Sequence, residues 1–182
     1  MPPTLRPQPW LCKWQDGAVP SLHLDDLDLP VLVLLGARAT DPWLLAASAP
    51  PGVRSLHGYV VQHLVEDRPT VTDLAGRLGV TQQAASKWVA ELEELGLVER
   101  RPDPADGRSR RVALTDAGRA MVRSARAARR SLEEQVADRV GDADVAVARR
   151  VLAALLDVVG AGEAVARRSV LPPSSEGDQS TS

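Results

Sequence analysis

The sequence predicts a mainly α-helical fold with a small β-ribbon, and three features carry that prediction. Apolar residues recur at helical spacing in segment after segment. Two capped segments, one opening at Thr70 and the next at Thr81, meet across a single glycine, Gly79. Beyond them, Leu97–Arg101 and Arg110–Leu114 read as short strands around a tip of two prolines and an Asp-Gly pair.

The elements follow in chain order. Residues 1–27 form an N-terminal arm: Pro2, Pro3, Pro7, Pro9 and Pro20 forbid a long helix, while Trp10, Leu11, Trp14, Leu22 and Leu24 are apolar. Either an extended arm packed on the body or on a partner, or a mostly disordered leader, fits this composition. Residues 28–50 form an N-terminal helical segment. Asp28 caps it, Pro30 sits in its first turn, and the almost wholly apolar run Val31 to Ala37 asks for burial. Asp41-Pro42 reads as a second helix start, and Pro50-Pro51-Gly52 is a break. The next helix, about Val53 to Glu66, turns Leu56, Tyr59, Val60, His63 and Leu64 inward.

Thr70 and Asp73 form a near capping box for a short helix with Leu74, Ala75 and Leu78 on its apolar side. Thr81 caps a second helix running to about Leu95, with Ala85, Trp88, Val89, Leu92 and Leu95 in one stripe and Gly96 closing it. The strands and the tip at residues 102–109, bracketed by arginines, complete a winged helix over residues 51–115. Thr115 then caps a long helix with a stripe of Met121, Val122, Ala125, Ala128, Leu132 and Val136. Gly141 interrupts the pattern, and a last amphipathic helix carries Val145, Val151, Leu152, Leu155 and Leu156. These helices, residues 116–168, are more apolar than so small a unit can cover, so burial against a second copy is the simplest solution. Residues 169–182 read as a disordered polar tail.

This order of residues resembles the MarR family of winged helix-turn-helix transcription regulators. The matching pieces are Asp73-Leu74-Ala75-Gly76-Arg77-Leu78-Gly79-Val80-Thr81, Ala85-Ser86-Lys87-Trp88-Val89-Ala90-Glu91-Leu92-Glu93 and Leu95-Gly96-Leu97-Val98-Glu99-Arg100. They continue with Asp103-Pro104-Ala105-Asp106-Gly107-Arg108 and Val112-Ala113-Leu114-Thr115-Asp116-Ala117-Gly118-Arg119. The match runs from about Gly52 to Arg130, extends to about Ala166 and is poor before Asp28. The resemblance implies a homodimer on a pseudo-palindromic duplex, in many members a repressor released by a small aromatic or phenolic effector; with no membrane-length apolar run and no lysine/arginine-led apolar start, cytoplasm is the default location. In such proteins the N-terminal helix is one long piece at the dimer interface. Here Gly36 and Pro42 point to a shortened or broken one.

Composition agrees once the charge is divided. The net charge is −2, but residues 68–130 carry 13 basic and 8 acidic groups, a net of +5 on the segment that would face phosphate. Twenty of the 22 cations are arginine, suited to bidentate phosphate or guanine contacts. No apolar run approaches the roughly 20 residues of a membrane span, and the lone Cys12 has no partner for an internal disulfide.

The candidate groove-reading face is Gln82, Gln83, Ser86 and Lys87, short polar side chains without negative charge. The ordinary alternative is a solvated helix face; the helix-turn-helix context favours groove insertion. Arg108 at the hairpin tip is the candidate for the minor groove, with Asp106 orienting it, roles the family resemblance also assigns. Arg110 and Arg111 alternate along a strand, so one faces DNA and the other away. Thr70, Thr72, Arg77 and Thr81 are candidates for phosphate contacts. Trp43, Tyr59 and His63 are candidates to line an effector pocket between the dimerisation helices and the DNA-binding lobe, which the resemblance implies. His23, His57 and His63 lack metal-ligand spacing, no cofactor is implied, and no catalytic motif survives inspection. A winged helix used as a protein-interaction module is the competing reading, and an enzyme is a third and weaker one.

Overall fold

The computed structural model of the chain describes residues 23–104, 106 and 109–170. Most of the expected arm, Cys12 and the expected tail beyond residue 170 lie outside the described residues. The elements are a 3₁₀ turn at Leu24–Asp26, then α1 (Leu29–Ser48), α2 (Ser55–His63), α3 (Val71–Leu78) and α4 (Gln82–Glu94). Strands β1 (Val98–Pro102) and β2 (Arg110–Leu114) follow, then α5 (Asp116–Val140), α6 (Asp142–Val158) and α7 (Gly162–Ala166). The chain divides into two units at Ala39 and Thr40, and the core lies in the second.

In α1, Asp28 Oδ1 accepts the Val31 N–H at 3.0 Å, the expected cap. The expected break at Gly36 and Pro42 does not occur: one helix of 20 residues runs through both. Pro42 removes a single donor, leaving the Arg38 carbonyl without its helical partner. Arg38 and Pro42 are both exposed, so that carbonyl is open to solvent. Contrary to the burial asked of this run, Leu29, Val31, Leu32, Leu34, Leu35 and Trp43 are exposed in the single chain. By length and mean hydropathy (1.3), α1 is also long and apolar enough to cross a membrane, against the expectation that no stretch would be. Its alanines, glycine and threonine dilute the apolar run without adding charge.

The winged-helix core is built as the sequence predicts. The Thr70 hydroxyl accepts the Asp73 N–H at 3.1 Å, and Asp73 Oδ2 accepts the Thr70 N–H at 3.0 Å, closing a reciprocal capping box. Gly79 takes φ 70° and Gly96 φ 70°, the left-handed region that lets each helix turn sharply. The helix stripes converge on one cluster in which Leu74, Leu78, Val89 and Leu92 are fully buried together with Val60 and Val112.

The wing pairs antiparallel, Val98 opposite Leu114 and Pro102 opposite Arg110. Thr70 adds a single bridge to Arg111, and the Val112 N–H donates to Pro69 O at 2.9 Å, so the entry to α3 is tied to the wing. Thr115 caps α5 by accepting the Gly118 N–H at 3.0 Å, and its hydroxyl donates to Gly96 O at 2.7 Å. Val170, placed in the expected tail, is held on the body: its N–H donates to Leu78 O at 3.0 Å, and its side chain packs on the core. The donor satisfies a carbonyl at the C-terminal end of α3 that no helical N–H reaches.

Candidate nucleic-acid interface

Helix α4 buries Ala85, Val89 and Leu92, which fixes its rotation. Gln82, Gln83 and Lys87 are consequently exposed on the opposite side and Ser86 is half-buried among them. Thr81, itself exposed, caps the helix by accepting the Ala84 N–H at 3.2 Å. The leading turn of α4 therefore presents amide, hydroxyl and ammonium groups with no carboxylate among them, the donor and acceptor set that base edges and phosphates accept.

The other predicted contacts divide. Thr72 is exposed, while the Thr70 hydroxyl is engaged with Asp73. Arg77 is exposed, but its Nη2 pairs with Asp67 at 2.6 Å. The Asp67 carboxyl is held below its ordinary pKa by that bond first and by the Arg68 backbone N–H second. On β2 the alternation is resolved. Arg110 is exposed, whereas Arg111 donates from Nε to the buried Asp103 at 2.7 Å and from Nη1 to Arg68 O at 3.1 Å. Arg111 thus braces the wing, leaving Arg110 as the outward member. Asp106 is exposed and its carbonyl accepts the Ser109 N–H at 2.9 Å. Arg108, and with it the expected Asp106–Arg108 pairing, lies outside the described residues.

One group of functional weight was not among the predicted site residues. His57 on α2 is 1% exposed. Its Nδ1 accepts the Arg54 backbone N–H at 3.2 Å, which assigns the ring proton to Nε2, and Nε2 stands 2.9 Å from Glu91 Oε2 on α4. The Arg54 guanidinium pairs with the same Glu91 oxygen. Glu91 is held below its ordinary pKa, first by the His57 hydrogen bond and then by Arg54. The helix that carries the predicted groove-reading face is thus fastened to α2 through one carboxylate. Arg54 sits at the N-cap of α2, three residues before His57, so the link is prepared by a local turn. Only the fold brings it to Glu91.

Comparison with known proteins matches this lobe. A family model of the MarR family covers residues 54–109. The HTH-type transcriptional regulator PetP of Rhodobacter capsulatus is 35% identical over 97 residues, 52% of this chain, which spans 58% of PetP's length. An HTH-type transcriptional repressor of Mycobacterium tuberculosis is 30% identical over 118 residues, covering 64% of this chain and 84% of the repressor. The chain belongs to the MarR family. Among solved structures, a MepR variant of S. aureus bound to an oligodeoxyribonucleotide superposes with TM-score 0.55 at 19% identity, over 72% of this chain and 95% of MepR. This MarR-family chain is a transcriptional regulator with a helix-turn-helix lobe, and its relatives are regulators, not enzymes.

The same lobe holds an open cavity of about 600 Å³ between the C-terminal half of α1, α2 and α5. Leu44, Leu45, Val61, Val65, Met121 and Val122 supply apolar wall, and Arg54, Arg126, Arg129 and Arg168 supply cations against the single carboxylate of Asp41. Of the three predicted pocket residues, Tyr59 lines it and Trp43 and His63 do not. Trp43 is turned outward, 44% exposed, and His63 Nε2 faces the Arg168 carbonyl at 3.2 Å behind the wall.

Proposed function

We propose that this MarR-family chain is a repressor that binds a pseudo-palindromic duplex site as a homodimer and releases it when a small organic effector occupies the cavity beside α2. The observation that carries the reading is the leading turn of α4, where Gln82, Gln83, Ser86 and Lys87 stand outward at the head of a helix fixed by its buried stripe. Two copies would place their α4 helices in successive major grooves, roughly 34 Å apart. The wings, with Arg110 and Arg108, would reach the flanking minor grooves.

Exposed apolar side chains on α1 and α6, among them Leu34, Leu35, Val151 and Leu152, are the surface a second copy would cover. In that arrangement α1 packs against protein and the regulator works in the cytoplasm on DNA. The domain division follows: residues 51–115 read the duplex, while residues 28–50 and 116–168 set the spacing. Selection of bound sequences from a random duplex pool tests the reading. An inverted repeat whose binding weakens steeply with added salt is expected. Recovery of no repeat, with binding insensitive to salt, would instead favour a protein-interaction module.

A further inference from the structure

Arg54 belongs to two sites at once. Its guanidinium pairs with Glu91 on the recognition helix, and the same residue lines the cavity between α1, α2 and α5. It is also half-exposed, its side chain 51% accessible, so the ion pair with Glu91 forms beside open solvent and can be exchanged. Glu91 does not depend on Arg54 alone, because the buried His57 donates to the same oxygen at 2.9 Å. Removing Arg54 would therefore weaken the fastening of α4 without stranding a carboxylate in the core.

We propose that Arg54 is the positioning residue through which the cavity controls the recognition helix: an apolar organic carboxylate entering the cavity takes the Arg54 guanidinium from Glu91, and Glu91 of α4 keeps only its hydrogen bond to His57. This rests on the DNA-binding reading above and specifies how that site is regulated. The ligand class follows from the lining, since the cavity's apolar walls are met by four arginines and one aspartate. A carboxylate presents the planar two-oxygen edge that a guanidinium binds in paired fashion. Glu91 presents the same edge, so the two compete for one partner. By linkage, whatever the ligand subtracts from DNA affinity, DNA subtracts from ligand affinity.

The experiment titrates the full chain with naphthalene-2-carboxylate, and with the neutral naphthalene-2-carboxamide, by calorimetry. It is repeated with Glu91→Gln and with Gly58→Leu. Glu91→Gln keeps an acceptor for His57 but gives up the charge that holds Arg54. Gly58 lines the cavity and a Cβ built there meets nothing within 4 Å, so a leucine side chain starting from that position is expected to take up cavity space beside Arg54. The expected results are carboxylate binding well above that of the amide, loss of it in Gly58→Leu, and a gain of about twofold to fivefold in Glu91→Gln, the worth of one exposed ion pair. A Glu91 that merely supports the fold would give no such gain.

Equal binding of carboxylate and amide, or unchanged carboxylate affinity in Glu91→Gln, overturns the proposal. A second arm measures duplex binding by the same proteins at fixed salt. Naphthalene-2-carboxylate is expected to lower duplex affinity in the parent chain and to leave Gly58→Leu unaffected. If the parent chain binds no duplex while Glu91→Gln still gains carboxylate affinity, the DNA reading fails and the Arg54 competition stands.

Discussion

Replacing Gly118 with alanine is the sharpest test of how the wing is joined to the rest of the molecule. Gly118 is buried in the first turn of α5, and a Cβ built on it would lie 2.1 Å from the Leu97 carbonyl oxygen. A carbon–oxygen contact settles at roughly 3.3 Å or more, so the methyl is too close by about 1.2 Å. The clash is with backbone, not with the far end of a flexible side chain. Leu97 O also accepts the Thr115 N–H at 3.1 Å, so shifting it disturbs the α5 cap and the start of β1 together. Overpacking of this kind costs about 1–3 kcal/mol, and a backbone obstacle belongs at the upper end. Alanine recovers at most about 1 kcal/mol of helix propensity, and less in a first turn. The net expectation is a loss of about 2 kcal/mol, a fall in Tm of roughly 4–8 °C for a chain of this size. Circular dichroism melts would measure it, with Gly76→Ala as the comparator. Gly76 is exposed on α3 and an added Cβ meets nothing within 4 Å, so that change should hold or raise Tm. A Gly118→Ala protein as stable as the parent would refute the close approach of α5 to Leu97.

Four further outcomes are expected. The Asp73 carboxyl is held below its ordinary pKa by the Thr70 N–H and hydroxyl, so its contribution is complete above the unfolded value near pH 4 and disappears as pH falls through the lower folded value; Asp73→Asn should flatten that acid limb of a urea-stability profile while leaving its shape at neutral pH unchanged. Arg110→Ala should weaken duplex binding and reduce the magnitude of its salt slope by about one, whereas Arg111→Ala should cost about 1 kcal/mol in urea unfolding through loss of the Asp103 pair. Leu34→Asp on the exposed face of α1 should convert a dimer to a monomer in gel filtration, with the melting of the winged-helix core little changed.

Much of the fold was legible because its signals are local. Thr70 with Asp73, Thr81 and Thr115 announce three helix starts through bonds that span three residues, and each forms as expected. Gly79 and Gly96 announce two helix ends through a backbone conformation that other residues resist. The stripes on α3 and α4 were readable for the same reason, since the spacing that defines a face also decides which face is buried. The link from His57 to Glu91 spans 34 residues and leaves no local trace, because a buried histidine and a surface one look alike in sequence. The fate of Arg111 was hidden similarly: alternation says that neighbours diverge, but only Asp103 and the Arg68 carbonyl decide which of the two arginines turns inward. Pro42 misled in the opposite direction. A proline forfeits one hydrogen bond wherever it sits, yet an exposed helix can give that carbonyl to water and continue.

The same long-range pairings explain how a chain of net charge −2 can offer DNA a surface fit to approach phosphate. Helix α4 carries three glutamates, an arrangement that would repel a duplex if they shared its leading face. They fall in its later turns, and two are paired within the lobe: Glu91 with the Arg54 guanidinium and the His57 Nε2–H, and Glu93 with Arg100 at 3.7 Å. Asp67 is matched to Arg77 and Asp103 to Arg111 in the same way. Those pairings draw carboxylates of the lobe into contacts within it, and the exposed ones among them add little to stability. Their consequence is electrostatic, because the nearby field that a phosphate meets at the head of α4 is set by Gln82, Gln83 and Lys87 and not by the total charge. On the proposed reading, a ligand that draws Arg54 away from Glu91 would do more than loosen the helix: it would also remove the cation beside a carboxylate of the helix proposed to approach the duplex.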